Sequence, residues 1–459
     1  MRREPAAALL VIVALIVTGC LTAKPAAAPT KPDRIVAQAV DPYGTIWWAL
    51  ASGSSCSLSM RTADGKSQKR FEVPFCPEGM EANGDGSLLL RSSRLTELRD
   101  SDGSLLLAGR QLLAARDRTH FLQRDGGWLL HWGDKSVALA PSSPLRDVVI
   151  SENSATIWAL QNRGASESLV RLDGAGEHVV MSAHRIDSFA MSPDETEIVV
   201  SAMRDGSFDP AIIAADGSKT KWVSPDPAPE TDVTWAPRGH KISYVVHTAA
   251  GSLVRTVHVP TGFAVAVSFP SSSLISLKWE PKAERLAILY SSLTSPSRID
   301  LVAYQSGDHQ IVAQSGPDFP GEAEPFSWKG ATTIVLPPAG LRYGAREPVV
   351  VWKGSNDVFE WNEATAQLRR DGTGVIVTSA SAVLDAGFWS EVARLSWVDP
   401  ARTFVVERPG SHSRYPDNVQ TILLTAPQPG RSAEDELESS AVSRLEMLLK
   451  GKNRIDGRS

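Results

Sequence analysis

Short apolar stretches alternate with polar turns along most of the chain, and this pattern predicts β-strands. Three stretches share one layout: an apolar strand, a polar turn that contains a proline, and a second apolar strand. They occupy residues 187–200, 232–245 and 276–289. Met191, Trp235 and Trp279 hold equivalent places in them and are spaced 44 residues apart. Such regular spacing indicates an internal repeat.

A second turn signal falls between these stretches. Asp-Gly pairs recur at residues 64–65, 102–103, 173–174 and 216–217. Between apolar runs this pair is typical of tight hairpins, because their turn residues need positive φ. Each repeat therefore holds four strands, and residues 187–224 show all four. Four strands in about 40–45 residues are typical of a β-propeller blade, because blades packed around an axis bury each other's apolar faces.

We predict an all-β fold: a β-propeller of seven or eight four-stranded blades over residues 34–430. Strand quartets can be followed from residue 34 to about 362, which makes eight units, and strands within 366–427 would add a blade or close the ring. Trp328 and Trp397 continue the tryptophan series. We expect the tryptophans to pack between blades rather than to form a ligand cage.

Residues 431–459 are predicted to form a helical tail. The start, at Ser432–Asp435, resembles a capping box. Apolar residues then recur at helical spacing: Leu437, Ala441, Val442, Leu445, Leu448 and Leu449. Such a helix packs on the outside of the propeller or binds a partner, and the pattern favours the first.

The N-terminus reads as an export signal. Arg2 and Arg3 precede an apolar run at 6–17, which is too short to span a bilayer and is typical of a signal peptide over residues 1–19. The V-T-G-C sequence ending at Cys20 resembles the lipobox of bacterial lipoproteins. That resemblance implies a lipid thioether on Cys20. Residues 20–33, rich in Ala and Pro, would form an extended tether.

Composition narrows the choice of partners and compartment. The 459 residues carry a net charge of −5 and contain 42% hydrophobic residues, which is typical of a globular chain. Because there is no basic stripe, nucleic acid is not an expected partner. Beyond Cys20, only Cys56 and Cys76 remain. Export to an oxidising compartment favours a disulfide between them over two free thiols, and no cysteine spacing is typical of a metal site.

One repeat resembles a known family. Residues 192–218 read SPDETEIVVSAMRDGSFDPAIIAADGS and resemble the TolB-type propeller repeat. The matching residues are Ser192, Pro193, Asp194, Arg204, Asp205, Gly206, Asp216, Gly217 and Ser218. Glu195 stands where the family usually has glycine, and residues 232–262 match more weakly. The resemblance implies a propeller outside the cytoplasm, in a family that ranges from periplasmic scaffolds to propeller domains of serine peptidases.

Motifs with known chemistry are missing from the sequence. It contains no G-x-S-x-G, no H-E-x-x-H, no P-loop and no G-x-G-x-x-G. Acidic residues cluster at Asp226, Glu230 and Asp232, where prolines predict a loop, and again at Glu434–Glu438, where a solvated helix start is expected. We therefore expect no catalytic residue, no cofactor and no metal, and no room after residue 430 for an α/β-hydrolase domain.

These observations favour a non-enzymatic lipoprotein that acts as an interaction scaffold or accessory subunit of a cell-envelope complex. Its expected partners are the membrane, through the lipid anchor, and envelope proteins. In a Gram-negative cell it would lie on the outer membrane facing the periplasm, and otherwise on the outer face of the plasma membrane. The alternative is a hydrolase or lyase acting on glycan or peptide, with paired carboxylates from different blades in the propeller channel. A weaker alternative is a small-ligand sensor for a signalling partner.

Overall fold

The computed structural model describes residues 33–423, with short gaps. The gaps are 54, 66–67, 110–111, 117–118, 125–126, 133–134, 152–153, 224–226, 249, 271, 317, 319–322, 330, 343, 356–362, 380–381, 408–414 and 416–418. Cys20, the predicted signal peptide and the predicted C-terminal helix therefore lie outside the described residues. Within the described part, no helix is long and apolar enough to cross a membrane.

Seven antiparallel four-stranded sheets, the blades, follow one another along the chain. Blades 1 and 2 are β1 (Arg34–Val40), β2 (Ile46–Ser52), β3 (Ser55–Arg61), β4 (Gln68–Val73), β5 (Gly79–Ala82), β6 (Leu88–Arg91), β7 (Thr96–Arg99) and β8 (Leu105–Gly109). Blades 3 and 4 are β9 (Leu112–Arg116), β10 (Thr119–Arg124), β11 (Gly127–Trp132), β12 (Lys135–Leu139), β13 (Leu145–Ile150), β14 (Ile157–Asn162), β15 (Glu167–Asp173) and β16 (Gly176–Ala183). Blades 5 to 7 are β17 (Ile186–Met191), β18 (Glu197–Arg204), β19 (Ser207–Ala214), β20 (Thr220–Trp222), β21 (Glu230–Trp235), β22 (Lys241–Thr248), β23 (Gly251–His258), β24 (Phe263–Pro270), β25 (Ser272–Trp279), β26 (Arg285–Ser292), β27 (Ser295–Ala303) and β28 (His309–Gln314).

Each blade comes from one continuous segment, and its first strand lies innermost. The second strand is sandwiched between neighbouring blades, so it is apolar on both faces. In β18, for example, every residue of Ile198–Ala202 is buried. Trp235 and Trp279, at the ends of β21 and β25, are buried between blades as expected. The structure thus confirms a β-propeller and fixes its blade number at seven.

The ring closes through side-chain contacts, because no described strand is shared between blade 7 and blade 1. Ile35 and Trp48 of blade 1 pack in one cluster with Leu289 and Ile299 of blade 7. The buried amide of Gln38 on β1 donates hydrogen bonds to the carbonyls of Ser276 and Ala287, each at 3.0 Å. These contacts join the two ends of the ring.

A disulfide links Cys56 on β3 to Cys76, which follows β4, with their Cα atoms 5.1 Å apart. Cys56 is buried with Leu58, Val73 and Met80 in the cluster between blades 1 and 2. The link therefore ties the outer half of blade 1 to the start of blade 2.

A second sheet follows the propeller. Its strands are β29 (Glu324–Trp328), β30 (Ala331–Leu336), β31 (Glu347–Ser355), β32 (Gly374–Ser379), β33 (Val398–Glu407) and β34 (Val419–Leu423), with helices α1 (Glu363–Arg370) and α2 (Ala386–Arg394). The spatial order is β29-β30-β32-β31-β33-β34, and the last four strands are parallel. We call it the mixed sheet.

The parallel strands of the mixed sheet are apolar on both faces, because a helix covers each face. On one face Val350, Val375 and Phe404 pack with Leu368 of α1. On the other face Val351, Val405 and Phe388 of α2 form a second cluster. Asp385 caps α2 by accepting a hydrogen bond from the Phe388 N–H at 3.1 Å. Helices on both faces make this a doubly wound α/β unit.

Leu293 connects the two units. It lies in the turn between β26 and β27 of blade 7, is 2% exposed, and belongs to the same apolar cluster as Leu336 and Trp352 of the mixed sheet. The mixed sheet is therefore packed against the end of the propeller at which this turn lies.

Two predictions about residues 315–430 are wrong. The propeller spans residues 34–314 rather than 34–430, and the quartet assigned to an eighth blade belongs to the mixed sheet. Trp328 ends β29 and Trp397 directly precedes β33, so neither continues the blade series. An α/β unit thus occupies sequence that was assigned to strands of a ring.

Candidate functional site

The innermost strands share an irregularity near their starts. In β1, β13, β17, β21 and β25 the pairing with the second strand slips at the same place, which is a β-bulge. The bulges of three neighbouring blades contain an aspartate: Asp147, Asp187 and Asp232. Because a bulge inserts an unpaired residue and re-aims side chains, it turns these residues towards the channel.

Two of the bulges need an unusual backbone. Asp147 has φ of 50° and Asp232 has φ of 52°, both in the left-handed region. Apart from glycine, aspartate and asparagine visit this region most readily, because their short polar side chains can bond locally. The residue type at these positions therefore suits both the backbone and the channel surface.

A short hydrogen-bond relay joins blades 5 and 6 at the bulges. The Asp187 carboxylate accepts a hydrogen bond from the N–H of Asp232 at 3.0 Å, and one from the hydroxyl of Ser188 at 2.8 Å. The same Ser188 hydroxyl accepts a hydrogen bond from the Val233 N–H at 3.1 Å. The relay holds the two bulges, and so the two acids, in fixed relative positions.

Arg146 ties blade 4 to this relay. Its guanidinium pairs with Asp147 beside it and with Glu167 at 3.0 Å. It also donates hydrogen bonds to the carbonyl oxygens of Ile186 and Asp187 in blade 5. Asp147 and Glu167 thus share one positive charge, and the backbone that carries Asp187 is fixed in place.

These bulges line a cavity of about 340 Å³ in the propeller channel. Its charged residues are Glu81, Arg91, Asp147, Asp187, Asp232 and Lys278. Phe189, Ile275 and Leu277 supply part of its apolar wall. A second cavity of about 460 Å³ is lined mainly by the later halves of the same strands. The residues that line both cavities are Glu81, Val149, Phe189, Val233, Leu277 and Lys278. The channel therefore has a charged end and a more apolar end, as ligand sites commonly do.

The charged end faces the mixed sheet. All innermost strands run the same way, and the three aspartates lie among the first residues of β13, β17 and β21. The turn that holds Leu293 and the end of β28, which leads to the mixed sheet, lie at this same end. We call it the proximal mouth.

Asp232 has an altered proton affinity. Burial, and after it the negative charge of Asp187, raise the pKa of Asp232 from its ordinary value to about 6. A hydrogen bond from Thr231 and the positive charge of Lys278 act in the opposite direction. A carboxyl group that titrates near neutral pH in a cavity is a typical sign of a functional site.

The acidic group predicted as a loop is placed differently. Glu230 and Asp232 lie on β21, whereas Asp226 is outside the described residues. Glu230 is completely buried and pairs with Arg255 at 3.1 Å, so it supports the blade and does not reach the channel. The loop prediction is therefore wrong for both. Among the residues described, no group of three potential ligands could hold a metal ion.

The mixed sheet offers a second surface for chemistry. In doubly wound sheets, ligands bind beyond the carboxyl ends of the parallel strands, where the strand order reverses. Here that edge is formed by the ends of β31, β32 and β33, at Ser355, Ser379 and Glu407. Trp328 reaches the chain just past β32, donating a hydrogen bond to the Val383 carbonyl at 3.0 Å.

The chain is similar to known proteins in structure and not in sequence. No protein-family profile matches the chain, and no curated protein matches its sequence. Acylaminoacyl peptidase of Pyrococcus horikoshii matches with a TM-score of 0.59 and 10% identity, over 82% of this chain and 73% of that one. A puromycin hydrolase matches with a TM-score of 0.60 and 12% identity, over 83% and 74%. A structure from a study of two prolyl endopeptidases matches with a TM-score of 0.57 and 12% identity, over 82% and 68%.

These matches extend beyond the propeller. Residues 34–314 are about three fifths of the 459 residues, so a match over 82% has to include the mixed sheet. At 10–12% identity the matches establish a shared fold: a seven-bladed propeller combined with an α/β unit. They show a propeller and do not confirm a specifically TolB-type lipoprotein.

Two functional expectations are overturned by these comparisons. The interaction scaffold and the absence of enzyme activity were inferred from the lipid anchor, the tether, the repeat fold and the lack of a catalytic motif. The chain instead has the two-part architecture of structures described as peptidases and a hydrolase.

Replacing Asp232 tests the charge balance of the cavity. Because the folded-state pKa of about 6 exceeds the ordinary 3.8, the folded protein loses stability as pH rises from about 4 through about 6. Asp232→Asn removes the buried charge and tolerates the left-handed backbone. We expect the variant to be more stable than wild type by about 1–2 kcal/mol at pH 8 and nearly equal at pH 4. Urea unfolding at both pH values measures this, and a variant no more stable than wild type at pH 8 contradicts the assignment.

Proposed function

We propose that the protein is a hydrolase that acts on peptides. The observation that carries this proposal is the combination in one chain of a seven-bladed propeller with a doubly wound sheet packed at its proximal mouth. The similar structures with this combination are described as an acylaminoacyl peptidase, a puromycin hydrolase and prolyl endopeptidases. Amide-type bonds are the common chemistry implied by those names.

In this proposal the propeller channel binds the substrate and the mixed sheet carries the reaction. The channel cavity binds the substrate, because it combines apolar walls with charged groups fixed by the Arg146 and Asp187 contacts. The carboxyl edge of the mixed sheet supplies the reacting groups, in keeping with where α/β sheets place their ligands. Since the sequence has no G-x-S-x-G elbow, the reaction is assigned to this edge as a whole and not to a named nucleophile.

The location of the protein is part of the same proposal. The lipobox at Cys20 supports a lipid-anchored protein of the bacterial cell envelope, and the repeat at residues 192–218 supports a propeller of TolB type outside the cytoplasm. A disulfide between Cys56 and Cys76 suits an oxidising compartment. The membrane and neighbouring envelope proteins are the partners we propose there, and the substrates would be extracytoplasmic peptides.

Peptide cleavage tests the activity directly. We expect the purified protein to cleave members of a quenched-fluorescent peptide library, and a fluorophosphonate adduct mapped by mass spectrometry would identify a serine nucleophile. Two isoleucines of blade 7 give a matched pair of variants. Ile275 lines the cavity, whereas Ile311 is 51% exposed on the outer strand β28. Ile275→Arg should lower kcat/KM about tenfold or more by obstructing the cavity, and Ile311→Arg should leave it unchanged.

Saturable peptide binding without any cleavage would contradict the hydrolase proposal. Equal activity in the two isoleucine variants would contradict the channel as the binding site while leaving hydrolysis in place. Circular dichroism of both variants shows whether each still folds.

Membrane fractionation tests the anchor. We expect Cys20→Ser to appear in the soluble fraction or as an unprocessed precursor, because the thioether cannot form without the thiol. Wild type should stay in the membrane fraction after a high-salt wash, since acyl chains are held by apolar burial and not by charge. Equal release of both proteins would contradict a lipid anchor.

A further inference from the structure

We propose that Asp232 selects substrates by charge and that protonation switches this selection. With Asp232 ionised, the proximal mouth favours peptides that carry a positive charge; with Asp232 protonated, that preference is lost. The inference rests on the proposed function only in taking a peptide as the ligand. It concerns binding, so it can fail or succeed separately from cleavage.

The geometry singles out Asp232 among the acids of the cavity. Glu81 pairs with Arg91 at 2.9 Å, and Asp147 pairs with Arg146. The charge of Glu81 is therefore balanced by Arg91, whereas Asp147 shares the single positive charge of Arg146 with Glu167. Asp187 and Asp232 belong to the relay between blades 5 and 6, where the contacts to Asp187 come from a backbone N–H and a neutral hydroxyl.

Lys278 completes the local charge balance. It lies on β25, lines both cavities, and its positive charge acts on Asp232. Two carboxylates and one ammonium give this part of the mouth a net charge of about −1 when both acids are ionised. Protonation of Asp232 leaves Asp187 and Lys278, whose charges cancel. A single proton thus removes the net charge of these three groups and weakens the negative field that a cationic ligand would meet.

The position of Asp232 keeps this charge directed into the cavity. Its left-handed backbone in the β21 bulge and the hydrogen bond from its N–H to Asp187 fix where the side chain starts. The half-buried carboxyl group lines the cavity together with the apolar Val233 and Leu277. A charge in such partly apolar surroundings is weakly screened, so its loss has a large effect on a ligand nearby.

Other titratable groups on the elements packed against β21 are engaged elsewhere. His247 on β22 shares a hydrogen bond of 2.7 Å with Thr231, and Glu230 pairs with Arg255 on β23. Asp209 on β19 is buried inside the blade. Thr231 also donates a hydrogen bond of 3.2 Å to Asp232, so protonation of His247 can reach Asp232 through Thr231. His247 is therefore controlled for below.

The test compares two capped peptides that differ at one residue, lysine in one and the uncharged norleucine in the other. N-methylated peptide bonds make both resistant to cleavage, and lysine keeps its charge throughout pH 5–8. For wild type we expect the lysine peptide to bind about tenfold more tightly than the norleucine peptide at pH 8, and about equally at pH 5. Isothermal titration calorimetry gives both affinities.

The decisive variant is Asp232→Asn, for which we expect no lysine preference at either pH. Asp205→Asn is the matched control. Asp205 also has a left-handed backbone, with φ of 51°, but its side chain is 90% exposed in the turn between β18 and β19. The control should retain the wild-type preference and its pH dependence. His247→Gln should do the same if Asp232 is the titrating group.

Each outcome has one meaning. A wild-type preference that does not change with pH, or a pH-dependent preference that survives in Asp232→Asn, overturns the selector. Loss of the pH dependence in His247→Gln alone also overturns it and assigns the switch to His247. Binding of neither peptide by folded wild type overturns the selector, while the cleavage assay with the peptide library decides the proposed function separately. Selective, pH-dependent binding by a protein that cleaves no peptide supports the selector and contradicts hydrolysis.

Discussion

The structure depends on closing a ring whose two ends share no described strand. Blade 7 and blade 1 must hold together by side-chain packing and by hydrogen bonds such as those from Gln38 to the Ser276 and Ala287 carbonyls. Each buried hydrogen bond of this kind adds only about 1 kcal/mol, so apolar burial between blades carries most of the closure. The width of the channel, and so the geometry of everything that lines it, follows from this contact.

Closure of the ring brings the starts of the innermost strands together around the channel. The bulges then determine which side chains of those strands face the cavity. A regular strand would alternate its side chains between the two faces of the blade. The extra residue in β13, β17 and β21 re-aims aspartates into the cavity instead, at the price of a left-handed backbone at Asp147 and Asp232. The relay from Asp187 to Asp232 and the clamp from Arg146 then keep the charged groups in place.

The propeller could be predicted from the sequence because each repeat is formed by neighbouring residues along the chain. The spacing of Trp235 and Trp279 and the Asp-Gly turns report on single blades, and each blade is one continuous segment. It failed after residue 314, because the strands of the mixed sheet are also short, apolar and separated by turns. Parallel pairing is set by which strands become neighbours, as when β32 inserts between β30 and β31, and no local pattern encodes this. The short helices at Glu363–Arg370 and Ala386–Arg394 were the available signal, since strands separated by helical patterns are typical of a parallel sheet.

The functional site was harder to predict from the sequence than the fold. Prolines near Asp232 predicted a loop, and only the pairing of β21 with β22 shows that this residue occupies a bulge. Asp187 precedes Asp232 by one repeat, and the two meet because neighbouring blades place equivalent strands side by side. The 44-residue repeat predicts that the strands carrying Asp187 and Asp232 occupy equivalent places in neighbouring blades. The burial of Asp232 and its raised pKa, however, depend on the closed ring and cannot be read from the repeat.

The central claim is that peptides bind in the channel at the mouth facing the mixed sheet. Photocrosslinking with a peptide that carries a benzophenone group, followed by mass spectrometry, tests it most directly. The account predicts adducts on cavity residues such as Phe189 and Leu277 and at the carboxyl ends of β31 to β33. Adducts confined to the outer strands of the blades, for example near Val179 or Ile311, would contradict it.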